Sequence, residues 1–325
     1  LQRYKIMAET EFELFNNQLL QQIVGPSNSN LKLIEEALNV EISTFGNHVS
    51  IKGNDEACKN AKEAINALYS KVSRGIEIGE QEVKAAVRMS GGEIDEKKNI
   101  DLNNIVLKTK KRHIYPRSQT QAKYILEMMD NELVFGLGPA GTGKTYLAVA
   151  LAVSMMLDGT IDKIILSRPA VEAGENLGFL PGDLKDKVDP YLRPLYDALY
   201  EMLPAEQVDK KLAAGEIEIA PLAFMRGRTL SNAFVILDEA QNTTPMQMKM
   251  FLTRLGENSR MVVNGDLSQV DLPRGTISGL KDALTTLKNI KGIGSVTFSA
   301  EDVVRHGLVA KIVCAYEKRN REEND

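Results

Sequence analysis

The octapeptide Gly138-Pro139-Ala140-Gly141-Thr142-Gly143-Lys144-Thr145 constrains this chain more tightly than any other feature. It satisfies G-x-x-x-x-G-K-[ST] and stands between the apolar run Leu133–Leu137, read as a strand, and the helical pattern from Lys144 to Leu157. Such a context asks for a buried strand, a glycine-rich turn and a helix that opens on Lys144. Glycines let successive backbone N–H groups converge on one anion, and the helix adds the positive end of its dipole. The anion this suits is a nucleotide's phosphate chain. Gly138, Pro139, Ala140, Gly141, Thr142 and Gly143 would cradle it, Lys144 would reach the β and γ phosphates, and Thr145 would offer its hydroxyl to Mg²⁺. ATP and Mg²⁺ are the expected cofactors.

Downstream, strand-like runs alternate with helical segments: Lys163–Leu166, Glu216–Ile219, Ala233–Leu237, Arg260–Val263 and Ser295–Phe298. Near-continuous apolar strands imply burial on both faces, hence a parallel sheet covered by helices, an α/β sandwich. Asp238 and Glu239 follow the run Ala233–Leu237 and so fall at the carboxyl end of a buried strand, where open α/β sheets bind ligands. Asp238 can hold Mg²⁺ through its water shell, and Glu239 can orient or deprotonate an attacking water. Another run ends in Asn264-Gly265-Asp266-Leu267-Ser268-Gln269, which offers Gln269 as a sensor of the γ-phosphate; a plain turn is the rival reading. Gln121, at the start of a helix before the phosphate loop, carries an amide able to read the N6 and N7 edge of adenine, or simply opens a surface helix.

The first part of the chain has another character. A helical pattern over Leu31–Leu38 precedes two alternating runs, Val40–Phe45 and His48–Lys52, joined at Gly46-Asn47 as a hairpin. Asn54 then caps a helix with Ala57, Ala61, Ala64, Ile65 and Leu68 on one face. We place a small α+β domain at 1–75, a linker with a helical fragment at 76–113, and the α/β domain at 114–325. The basic run Lys108, Lys110, Lys111, Arg112, His113 and Arg117 can touch nucleic-acid phosphates or serve as a solvated linker.

At 325 residues the chain exceeds the usual size of one domain, and 43% hydrophobic with 26% charged residues is ordinary globular composition. No apolar run approaches the roughly 20 residues that span a bilayer, so no membrane partner is expected. The opening residues lead into Glu9, Glu11 and Glu13 rather than an apolar signal core, and the two cysteines, Cys58 and Cys314, lack metal-ligand spacing. Both points suit a reducing, cytoplasmic setting with buried thiols. A net charge of −4 excludes a wholly basic surface but not a local cationic groove. Three histidines leave little scope for a histidine metal site or triad.

These motifs, with the intervening Ser167-Arg168-Pro169-Ala170-Val171-Glu172-Ala173-Gly174-Glu175-Asn176-Leu177-Gly178-Phe179-Leu180-Pro181-Gly182-Asp183, closely resemble the PhoH-like family of ATPases from about Ile114 to Tyr316. That family is similar to the first motor domain of superfamily 1 helicases, in which motifs resembling 138–145, 238–241 and 265–269 bind and hydrolyse ATP. The resemblance implies a RecA-like P-loop NTPase fold and matches Gln121 to the adenine-reading glutamine. The N-terminal unit resembles the KH-like region of many bacterial members, which implies RNA as a partner. Its loop Gly25-Pro26-Ser27-Asn28 departs from the KH clamp in lacking the second glycine. The nuclease domain carried by some relatives finds no matching acidic cluster in residues 1–110.

A superfamily 1 helicase closes ATP between two motor domains, yet the roughly 180 residues after Thr145 are used up by one sheet. We therefore expect a homo-oligomer, a head-to-tail ring such as a hexamer, with an arginine supplied in trans. Arg305 is the first choice for that catalytic arginine and Arg254 the second, each with a surface ion pair or helix cap as the rival reading. Arg168, Arg226 and Arg228 can contact phosphate or RNA, or form salt bridges. The segment Glu175–Asp183 reads as a functional loop. The expected activity is Mg²⁺-dependent ATP hydrolysis coupled to RNA unwinding or remodelling in RNA or ribosome metabolism, with an ATP-switched RNA adaptor and a P-loop kinase as alternatives.

Overall fold

The computed structural model describes residues 8–90, 105–169 and 184–303. Arg305, Cys314 and the Glu175–Asp183 loop lie outside them. The chain divides into two compact units, residues 1–105 with 116–122, and residues 106–115 with 123–325.

The first unit runs β1 (Ala8–Glu13), α1 (Asn17–Val24), α2 (Ser29–Leu38), β2 (Glu41–Phe45), β3 (His48–Gly53), α3 (Asp55–Ser73) and α4 (Glu80–Met89). Its three strands form an antiparallel sheet in the order β1-β3-β2, with Glu41 opposite Lys52 and Phe45 opposite His48 across the hairpin. Helix α3 starts where it does because Asn54 accepts a hydrogen bond from the Ala57 N–H at 2.7 Å, and Asp55 and Glu56 favour the positive end of the helix dipole. Its buried stripe of Ala57, Ala61, Ala64, Ile65, Leu68 and Val72 follows the helical repeat. Ile23, Ile34, Ile51 and Val83 complete that core, so α4, in the segment read as linker, is packed into the first unit through Val83 and Ala86. Strand β1, whose residues alternate half-buried and exposed, pairs along β3 from Ala8–Gly53 to Glu13–His48.

The second unit contains a two-stranded ribbon, β4 (Leu107–Lys108) with β5 (His113–Ile114), and then most of α5 (Gln119–Asp130). There follow β6 (Leu133–Leu137), α6 (Lys144–Leu157), β7 (Lys163–Arg168), α7 (Leu184–Met202), α8 (Ala205–Ala213), β8 (Ile217–Pro221), β9 (Ala233–Leu237), α9 (Pro245–Leu252), β10 (Arg260–Gly265), α10 (Gly279–Thr286) and β11 (Ile293–Thr297). Six strands make one sheet, β11-β6-β10-β9-β7-β8, parallel throughout. The strand leading into the glycine loop, β6, is therefore separated from the strand ending at Asp238, β9, by the single strand β10. That order is the RecA-like arrangement of P-loop NTPases.

Every residue of β9 is buried, as expected for a strand covered on both faces. On one face Phe135, Val235, Leu237 and Val263 pack with Met248 and Phe251 of α9 and Leu280 of α10. Side chains alternate along a strand, so Val134, Phe234 and Ile236 serve the other face, where α6 lies against β7, β9 and β10. Within the basic run, Lys111 Nζ donates to the Tyr200 carbonyl at 2.7 Å and Arg112 meets Glu201 at 3.2 Å, which fastens this ribbon to the end of α7. Among the described residues, no helix is long and apolar enough to cross a membrane.

One glycine inside β6 answers to a close approach. Tyr124 is fully buried and donates to Asn264 Oδ1 at 2.6 Å, and a Cβ on Gly136 would sit 2.4 Å from that same oxygen. Burial raises the Tyr124 phenol far above its ordinary pKa, so it stays protonated and donating.

Candidate nucleotide-binding site

The carboxyl ends of β6, β7, β9 and β10 surround a cavity of about 230 Å³ lined by Lys144, Thr145, Arg168, Asp238, Glu239 and Gln269, among others. Strand order brings them together. Lys144 and Thr145 open α6, Arg168 ends β7, Asp238 and Glu239 follow β9, and Gln269 stands four residues past β10. Of the sequence-derived set, Gly138, Pro139, Thr142 and Gln121 are absent from this lining; Gln121 is counted with the first unit, where its Oε1 accepts the Arg117 N–H at 2.7 Å.

The loop before α6 depends on left-handed backbone at Gly138 (φ 128°), Gly141 (φ 83°) and Gly143 (φ 86°). At Gly138 a side chain is excluded twice over, because a Cβ would also lie 2.4 Å from the Phe298 carbonyl oxygen. Lys144 folds back on this loop, its Nζ donating to Gly138 O at 2.7 Å, Pro139 O at 2.8 Å and Thr142 Oγ1 at 3.3 Å. Burial holds its ammonium below the ordinary lysine pKa, while Asp238, Asp266 and Glu239 pull the other way.

Asp238 is gripped on both oxygens. Thr145 Oγ1 donates to Oδ1 at 2.6 Å, and Arg168 donates to Oδ2 from Nε at 3.0 Å and Nη2 at 2.5 Å. Glu239 is left-handed at φ 55°, an uncommon state for a residue with a long side chain, and keeps 44% of its side chain exposed. This conformation turns the chain away from β9 and leaves the carboxylate at the cavity wall.

Sequence reasoning passed over Gln241, which is 1% exposed. Its Nε2 donates to Glu239 Oε2 at 2.7 Å and to the Gln269 carbonyl at 3.3 Å, and its Oε1 accepts the Asp266 N–H at 3.0 Å. One amide thus ties the glutamate after β9 to the turn after β10. The signal was its place two residues beyond Glu239 in a strand-end motif. Asp266 was also left unassigned. Its Oδ1 accepts from Ser268, whereas its buried Oδ2 has no partner although the residue lines the cavity. A buried carboxylate oxygen without a donor is costly, and a cation or ordered water in the cavity would satisfy it.

Two other arginines singled out by the sequence, Arg228 and Arg254, are engaged within the chain. Arg228 makes a two-pronged pair with Glu218 at 2.6 and 2.7 Å. Arg254 donates to the carbonyls of Met250 and Arg228 and to Thr253 Oγ1, which makes it a brace between α9 and the approach to β9. Arg226 is exposed.

The donor set suits Mg-nucleotide rather than a metal held by protein alone. Among the described residues no cluster of three His, Cys, Asp or Glu could cage an ion, whereas one hydroxyl and one carboxylate in contact are what Mg²⁺ takes when phosphates supply the remainder. The glycine cradle, filled if a Cβ were added at Gly138, meets the need for close backbone approach to phosphate.

Fold and site together define a P-loop NTPase. The chain belongs to the PhoH-like family: residues 113–317 match the model of PhoH-like protein, and residues 10–67 match that of the KH domain. It is 51% identical over 318 residues to a PhoH-like protein of Bacillus subtilis, covering 96% of this chain and 100% of that one. Protein PhoH of Escherichia coli is 48% identical over 205 residues, or 62% of this chain and 58% of that one. Among solved structures, the UvsW helicase from bacteriophage T4 is a distant likeness, with TM-score 0.36 and 12% identity over 70% of this chain and 75% of that one.

Proposed function

We propose that the cavity binds ATP with Mg²⁺ and hydrolyses it, and that turnover is coupled to RNA engaged by the KH domain. The observation that carries the first half is the 2.6 Å contact of Thr145 with Asp238, in a cavity that Lys144 and Glu239 also line. Bound Mg²⁺ and ATP supply a transferable phosphoryl group and the charge that stabilises its departure. Lys144 exchanges its bonds to Gly138 O and Pro139 O for phosphate oxygens. Glu239, steadied through Oε2 by Gln241, uses its carboxylate to orient a water and accept its proton. Gln269 senses the terminal phosphate, and Gln241 passes that state between Gln269 and Glu239. Gln121 remains our choice for reading the adenine edge.

RNA coupling draws on the KH match and on the loop Gly25–Asn28. Asn28 there adopts the left-handed conformation (φ 61°) that the missing second glycine would take easily. The test is ATP turnover by the whole chain with and without single-stranded RNA, together with a strand-separation assay. We expect RNA to raise turnover several-fold, on the order of 3–10 times for a coupling of about 1 kcal/mol. If RNA alters neither turnover nor ATP affinity, the coupling is wrong; if it alters both without strand separation, the chain is a switch rather than a motor.

We also propose that a neighbouring subunit completes the site in a head-to-tail ring, with Arg305 as the arginine in trans. Support comes from the engagement of Arg254 within its own chain. Mass measurement in solution with a non-hydrolysable ATP analogue should show an assembly of several copies. A monomer throughout that measurement ends the ring proposal.

A further inference from the structure

We propose that Arg168 is a positioning residue of this site, standing in for the divalent cation at Asp238 when nucleotide is absent and moving to the phosphates when the cation takes its place. The proposal rests on the reading of the cavity as a Mg-ATP site and adds to it a residue that makes cation and nucleotide depend on one another.

The geometry follows from the sheet. Strands β7 and β9 are parallel neighbours with Ser167 opposite Leu237, and the Asp238 N–H donates to the Ser167 carbonyl at 2.9 Å. The next residue on each strand is then Arg168 beside Asp238. Arg168 donates to Oδ2 from Nε and Nη2, while Thr145 takes Oδ1. Arg168 is 17% and Asp238 6% exposed at the side chain, so this pair is shielded from water and its charges act more strongly than a surface pair would.

Thr145 and Asp238 are also the pair suited to Mg²⁺. A divalent cation arriving there meets a guanidinium already seated on the same carboxylate, and the two like charges oppose each other across a few ångströms. An arginine cannot relieve that by losing its proton. It has to move. Among the described residues Glu239 also meets Arg168, with Oε1 at 3.8 Å from Nη2, and that group is the one needed for water. A nucleotide's phosphates offer more negative charge in the same cavity, and the planar fork of an arginine fits two phosphate oxygens at once. Cation alone therefore costs Arg168 its bonds to Asp238. Cation with nucleotide replaces those bonds with bonds to phosphate. The coupling is reciprocal, so each ligand tightens the other.

The test compares wild type with R168Q, R168A and R168K. Mn²⁺ binding to the nucleotide-free chain is read by electron paramagnetic resonance, and the affinity for a fluorescent ADP is read with and without Mg²⁺. Removing the competing charge should let R168Q and R168A bind Mn²⁺ about tenfold more tightly, while R168K, which keeps the charge, stays near wild type. The gain in ADP affinity on adding Mg²⁺ should shrink in the two neutral variants. R168A leaves a buried carboxylate uncompensated and can unfold. R168Q retains a donor for Oδ2, and circular-dichroism melting identifies which variants are folded. Fluorescent ADP bound by wild type, with Mn²⁺ affinity unchanged in folded R168Q, overturns the role of Arg168 alone. Failure of wild type to bind ADP at all overturns the reading of the cavity and this inference with it.

Discussion

Glu239→Gln should lower ATP turnover by about 10²–10⁴-fold, the usual contribution of a positioned general base, while nucleotide affinity stays within about threefold. The separation arises because Glu239 faces the cavity but makes none of the loop contacts that would hold phosphates. Gln keeps the shape and can still bond Gln241, so the helix and strand ends need not move. Its amide has no proton affinity to offer water. Single-turnover hydrolysis beside equilibrium binding of a fluorescent ATP analogue checks this. Turnover that survives unchanged would remove Glu239 from the chemistry, and lost binding would make it a ligand instead.

Gly138→Ala should damage both stability and binding. At φ 128° an alanine is strained whatever the space, and here its Cβ would also meet the Phe298 carbonyl at 2.4 Å, backbone that cannot swing aside as a side chain can. We expect a loss of about 2–4 kcal/mol, or roughly 5–15 °C in the melting point of the sheet unit. Nucleotide affinity should fall at least about tenfold, since the strand end that moves also carries the Gly138 carbonyl and the first turn of the loop. Thermal melting and titration with a fluorescent nucleotide read the two effects separately. A variant with wild-type melting would show that β11 yields easily at Phe298.

Much of this architecture is legible in the chain because its strands are buried on both faces. Ala233–Leu237 and Leu133–Leu137 are apolar without interruption, and the residues that follow them, Asp238 and Gly138, mark the ligand edge of the sheet. Helix α6 begins and ends where its pattern does, from Lys144 to Leu157. Strand β1 was harder to see, since Glu9, Glu11 and Glu13 alternate with residues only half buried and the segment reads as irregular. Strand order is not local either. That β10 separates β6 from β9 depends on which buried faces fit together, a property no single segment carries. For the same reason the role of Gln241 is not legible in the sequence, and neither is Asp238 as the partner in the salt bridge that is one reading of Arg168. Each acts through a partner on another element, brought within reach by the sheet. Asp266 has a different obstacle, because Gly-Asp after a strand is equally good turn chemistry.

The buried contact of Tyr124 with Asn264 above Gly136 bears on how such a chain can change over time. Each of the three residues is tolerable only because of the other two: the glycine leaves room, the phenol donates, the amide accepts. A larger residue at Gly136 collides with Asn264 unless that side chain shortens, and a shortened Asn264 leaves a buried phenol with nothing to bond. Substitution one position at a time therefore passes through poorly folded intermediates. The strand that feeds the phosphate loop is held in place by an arrangement that drift can alter only as a set.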